Sequence, residues 1–125
     1  MASVLVVDDD PDVCDLVTYK LEQSGFAVRR ASDGDAALRE VAAEVPDLVL
    51  LDIMMPGMTG LEVLQRLRAD ATTAGLPVIL LSAKAQESDV ERGFELGADD
   101  YVVKPFSPRE LARRVSAVMA RRQSA

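Results

Sequence analysis

Several polar side chains in this sequence stand directly after short apolar runs. Asp8 and Asp9 follow Val4–Val7, Asp52 follows Leu48–Leu51, Ser82 follows Val78–Leu81, and Lys104 follows Tyr101–Val103. Each alone is ordinary. An Asp after a strand is most often a helix N-cap, which suits Asp10 before Pro11. A Ser there is usually a turn residue, and a lone Lys is usually solvated. The set is harder to dismiss. Asp8, Asp9 and Asp52 would repel one another at close range unless a cation compensates. Lys104 is the only basic residue among them. Oxygen ligands without Cys or His select a hard cation, Mg²⁺ or Mn²⁺. A carboxylate such as Asp52 could then attack phosphorus and become an acyl phosphate. Lys104 could pair with one phosphoryl oxygen and Ser82 could hydrogen-bond another. No general base is needed, because the carboxylate is already ionised.

Composition narrows the chemistry. The chain has 125 residues and no histidine, which removes His acid–base catalysis, His metal ligands and an internal phosphohistidine. Cys14 is the only cysteine, so an internal disulfide and a Cys-rich zinc site are impossible. Aromatic residues make up 4% and tryptophan is absent, so no stacking platform for bases is visible. The net charge of −7 disfavours direct contact with nucleic acid. The charge is uneven, since the segment from Ser107 onward holds five Arg against one Glu. No apolar run is long enough to span a membrane. The N-terminal apolar stretch is too short for a signal peptide and is flanked by acid. The expected location is therefore the cytoplasm.

Positioning these residues requires five strands with helices between them. The apolar runs already named, together with Ala27–Arg30, read as short buried strands. Asp10 and Pro11 suit the start of a helix that stops near Ser24 and Gly25. Asp33-Gly34 reads as a turn before a helical stripe of Ala37, Leu38, Val41, Ala42 and Val45, closed by Pro46. Leu61, Leu64 and Leu67 mark a third helix. Val90 and Phe94 mark a fourth, ended by Gly97. The last begins near Pro108 and buries Leu111, Val115, Val118 and Met119. Five strands alternating with five helices predict an α/β fold, an open doubly wound parallel sheet. Right-handed crossovers then put every strand's C-terminal end, and so every residue of the set, on one edge.

These motifs together resemble the receiver domains of two-component response regulators. They are the acidic pair Asp8-Asp9 after VLVV, the segment DLVLLDIMMPGMTG around Asp52, Ser82-Ala83, and GADDYVVKPF with Lys104. The resemblance covers essentially the whole chain. It implies a flavodoxin-like five-stranded sheet of order 2-1-3-4-5, with residues 1–122 as the receiver and 123–125 as a tail or the start of a linker. It implies that Asp52 is the phosphoacceptor. Asp8, Asp9, Asp52 and the backbone carbonyl of Met54 would hold Mg²⁺ or Mn²⁺. Ser82 and Lys104 would contact the phosphoryl group, and the Lys104–Pro105 bond would be cis. Tyr101 would be an aromatic switch that turns inward with Ser82, with Ala83 small enough to leave room. Gly60 would close the loop after the third strand.

The same resemblance implies partners. The phosphoryl group would come from a sensor histidine kinase or a histidine phosphotransfer protein. The domain would be a switch that catalyses only its own phosphorylation and dephosphorylation, not a conventional enzyme. Its output face would be the fourth helix, fifth strand and fifth helix. A homodimer through that face is implied only in part. Asp100, Glu110, Arg114 and Arg121 fall where winged-helix regulators carry paired charges, but Val90 stands where those have Arg or Lys. Two other readings stay open. One is a Mg²⁺-dependent phosphohydrolase with an Asp nucleophile; Asp8 and Asp10 would form its acidic pair, but Asp12 stands where Thr or Val is needed. The other is a degenerate receiver that only binds, against which the complete set argues.

Overall fold

Unbroken runs of Val, Leu and Ile suit strands covered on both faces, and the three central strands of the sheet are built from them. A computed structural model describes residues 1–83 and 87–124, with side chains through Arg121. The strands are β1 (Ser3–Val7), β2 (Ala27–Ala31), β3 (Leu48–Asp52), β4 (Val78–Ala83) and β5 (Asp100–Lys104). The helices are α1 (Pro11–Gln23), α2 (Gly34–Ala43), α3 (Gly60–Ala69), α4 (Glu87–Glu95) and α5 (Pro108–Ser124). All neighbours pair in parallel, in the order β2-β1-β3-β4-β5. The expected order is thus observed. Of the expected tail 123–125, Ala125 lies outside the described residues.

Side-chain alternation sorts the core into two layers. Val4, Val6, Leu48, Leu50, Ile79, Leu81 and Val102 pack with α1 and α5. Leu5, Val7, Val49, Leu51, Val78 and Leu80 pack with α2 and α3 on the other face. Every residue of β3 is buried between the two layers.

Caps fix where helices begin. Asp10 accepts from the amides of Asp12 (2.9 Å) and Val13 (3.4 Å) ahead of Pro11. Asp33, expected as a turn residue, is the N-cap of α2 and accepts from the Ala36 amide at 2.7 Å.

One expectation about helix faces needs correction. The α2 stripe does not reach Val45. The helix ends at Ala43, and Val45 is 47% exposed. Arg29 of β2 caps this end, donating to the carbonyls of Glu40 and Glu44. Pro46 also biases the residue before it toward extended backbone. Phe94 lies on the fourth helix as expected, and is 43% exposed. Its ring meets Tyr101 edge-on, with centroids 5.6 Å apart.

Candidate functional site

β3 and β5 run one residue past their apolar runs and β4 two, while Asp8 follows directly on β1, and these steps deliver the site. Val7 of β1 pairs with Leu51 of β3, so Asp8 and Asp52 follow side by side on adjacent strands. Asp52, Ser82 and Lys104 are themselves strand residues. The C-terminal edge therefore gathers Asp8, Asp9, Asp52 and Lys104, as the sequence predicts.

Alternation explains which of them meet. Asp52 continues the Leu48, Leu50 series, Lys104 follows Val102, and Asp8 follows Val6, all on the α1/α5 face. Their charged groups converge. Carboxylate oxygens of Asp8, Asp9 and Asp52 lie within 4.8 Å of one another. Lys104 Nζ donates to Asp8 Oδ2 at 2.7 Å and stands 3.4 Å from Asp52 Oδ1. Asp8 and Asp52 are buried, while Asp9 is exposed at the mouth. The Asp10 amide donates to Asp8 Oδ1 at 3.0 Å. Cys14 is buried in α1, and its thiol donates to the Asp8 carbonyl at 3.3 Å. No sequence signal distinguished that role from ordinary apolar packing.

Ser82 belongs to the other series. It follows Val78 and Leu80 toward the α4 side of the sheet. Its hydroxyl is fully buried and has no hydrogen-bond partner among the described residues. A buried hydroxyl left unpaired costs free energy, so it is poised to take an acceptor. It borders a cleft of about 350 Å³ together with Ala83, Val90, Phe94, Tyr101 and Val103. Tyr101 is 37% exposed beside this cleft. Met54 is 60% exposed. The Lys104–Pro105 peptide is cis.

Gly60 closes the β3–α3 loop by donating its amide to the Ile53 carbonyl at 2.9 Å. A Cβ there would overlap the Asp52 carbonyl oxygen. On α5, Arg114 pairs with Asp100 at 3.2 Å and Glu110 at 3.0 Å within the same chain.

The electrostatics favour an added cation. Burial raises the Asp52 pKa to about 6, helped by the charges of Asp8 and Asp9 and opposed by Lys104. Burial pulls the Lys104 pKa down. Its hydrogen bond to Asp8 and the charges of Asp52 and Asp8 outweigh that, and the net shift is upward. One ammonium thus faces three carboxylates. This oxygen-only, over-acidic donor set fits Mg²⁺ or Mn²⁺.

Comparison with known proteins places this geometry. Residues 4–116 match the family model of the response regulator receiver domain. The chain is 46% identical over 118 residues to the phosphate regulon transcriptional regulatory protein PhoB of Klebsiella pneumoniae, covering 94% of this chain and 52% of that protein. It is 48% identical over 120 residues to the DNA-binding response regulator MtrA of Mycolicibacterium smegmatis, covering 96% and 51%. The chain thus spans about half the length of the curated relatives it matches. Among solved structures it superposes on the chemotaxis protein CheY4 of Vibrio cholerae with a TM-score of 0.89 and 31% identity, covering 94% and 98% of the two chains. The receiver domain of the Francisella response regulator 1452 gives a TM-score of 0.88 and 36% identity, covering 97% and 98%.

Proposed function

This chain belongs to the family of response regulator receiver domains, the phosphoacceptor modules of two-component signalling, and from that premise we propose that Asp52 is its phosphoacceptor. The observation that carries this is the convergence of Asp8, Asp9, Asp52 and Lys104 on one strand edge. An Asp52 carboxylate oxygen attacks the phosphorus of a phosphohistidine on a sensor kinase or phosphotransfer protein. The new O–P bond forms as the N–P bond breaks, and the N–P electron pair leaves on the imidazole nitrogen. Asp8, Asp9, Asp52 and the Met54 carbonyl would hold Mg²⁺ or Mn²⁺, which supplies positive charge to the transferring group. Lys104 moves from Asp8 and Asp52 toward a phosphoryl oxygen.

Ser82 then finds the acceptor it lacks. Drawing its hydroxyl across the edge opens space on the α4 side, and Tyr101 folds into the cleft. The output face is α4, β5 and α5. The chain also promotes its own dephosphorylation, in which water attacks phosphorus, the Asp52 O–P bond breaks and inorganic phosphate leaves the restored carboxylate, so it acts as a timed switch in the cytoplasm. Residues 1–122 form the working unit, with 123–125 leading out of it. The acidic surface argues that DNA contact, where a longer protein makes it, is made elsewhere in that protein. A homodimer through the output face would have to recruit Arg114 away from Asp100 and Glu110.

The test is direct. Incubation with acetyl phosphate and Mg²⁺ should add one phosphoryl group by intact mass. Asp52→Asn should show no adduct. An undiminished adduct on that variant would refute the assignment.

A further inference from the structure

A half-buried ion pair lies at the sheet edge opposite the carboxylates, outside the site described above. Arg68, near the C-terminal end of α3, directs its guanidinium into the turn between α4 and β5. Nε and Nη2 donate to the Gly97 carbonyl at 3.2 and 2.8 Å. Nη1 donates to the Thr73 carbonyl at 3.3 Å, and Nη2 lies 3.5 Å from Asp99 Oδ2. Asp99 in turn accepts from the Val78 amide at 2.8 Å and gives its own amide to the Val78 carbonyl at 2.8 Å. The two side chains are only 16% and 20% exposed. One guanidinium therefore ties α3, the loop leading to β4, the first residue of β4 and the turn that ends α4. A guanidinium is planar with donors in fixed directions, so it locks this geometry better than an ammonium could.

Away from this clamp α4 is lightly held. Gly93 is its one buried residue, whereas α1 buries three and α3 buries four. Gly93 lets the helix lie close on β4, since a Cβ there would overlap Leu80 Cδ1. At the far end Glu87 and Val90 border the cleft beside Ser82. Among the described residues, hydrogen bonds tie the turn at its C-terminal end, while over the cleft Val90 packs only partly buried against the core.

We propose that Arg68 is a positioning residue that clamps the C-terminal end of α4, so that the movement of α4 on phosphorylation is a pivot about that end. The proposal rests on the switch reading above and adds its mechanical anchor. Moving the N-terminal end of α4 then leaves the Gly97–Asp99 turn and the start of β5 in place.

Hydrogen–deuterium exchange on the full chain tests this, comparing EDTA with Mg²⁺ plus beryllofluoride as a phosphoryl mimic. Wild type should change at least fivefold over residues 87–91 and less than twofold over 95–99. In Arg68→Ala the ligand-dependent change should spread to 95–99, at fivefold or more. Arg68→Lys keeps the charge without the fork and should fall between. If Arg68→Ala does not fold, Arg68→Lys carries the comparison. A merely structural role would speed exchange over 95–99 equally with and without ligand, and that result overturns the proposal. Equal changes at both ends of α4 in wild type also overturn it, as does no change anywhere in α4 despite binding. If fluorine NMR shows no beryllofluoride binding to wild type, the switch reading fails and the clamp falls with it.

Discussion

As the proposed phosphoacceptor Asp52 must be ionised to attack phosphorus, yet it sits where ionisation is disfavoured. Burial and the neighbouring carboxylates hold its pKa near 6 despite Lys104. The folded protein therefore binds this proton more tightly than the unfolded chain does. Its stabilising contribution is fully present below the unfolded value near 3.8 and is lost as pH rises through about 6. In EDTA at pH 7.5, Asp52→Asn should be more stable than wild type by on the order of 2 kcal/mol, with the gap closing by pH 4. Denaturant melts at the two pH values measure this. Equal stabilities at pH 7.5 would mean that Lys104 already neutralises the pocket. The identity of Asp52 was legible from its residue type and its place after an apolar run. Its raised pKa was not, because burial depth is a property of the folded edge.

At the scale of elements, the strands and their alternation with helices were legible because buried strands and helical stripes differ in period, whereas the strand order came from the family resemblance. The division of labour between Lys104 and Ser82 was not. Val78–Leu81 is apolar throughout, so the alternation that turns Ser82 away from Lys104 leaves no mark in its sequence. The end of α2 was misread for a related reason. Val45 continues the helical stripe in sequence, but Arg29, distant in the chain, supplies the cap that ends the helix sooner. The β3–α3 loop shows what an element contributes to the site. Gly60→Ala should push the Asp52 carbonyl aside, costing about 2 kcal/mol or more of stability. It should also slow phosphorylation by acetyl phosphate about tenfold or more. A variant with wild-type stability and rate would show that the loop absorbs the methyl group.

At the scale of the molecule, repulsion in the pocket links ion binding to folding. Mg²⁺ should stabilise the whole chain, by about 2.7 kcal/mol at one hundred times its Kd. Asp9 is the exposed member of the cluster. Asp9→Ala should unfold at a higher denaturant concentration than wild type in EDTA, yet gain little from Mg²⁺. A loss of about 1 kcal/mol or more in EDTA would instead mean that Asp9 makes structural hydrogen bonds. The placement of Ser82 on the opposite face from Asp52 and Lys104 has a consequence for traffic. The sheet acts as a septum, with the carboxylate of Asp52 toward α1 and α5 and the Ser82 cleft toward α4. A donor seated over α1 and a reader confined to α4 would not compete for space, whereas a reader that also covers α5 shares the donor's side of the sheet. A peptide that binds α4 alone should therefore leave phosphorylation by a kinase unslowed.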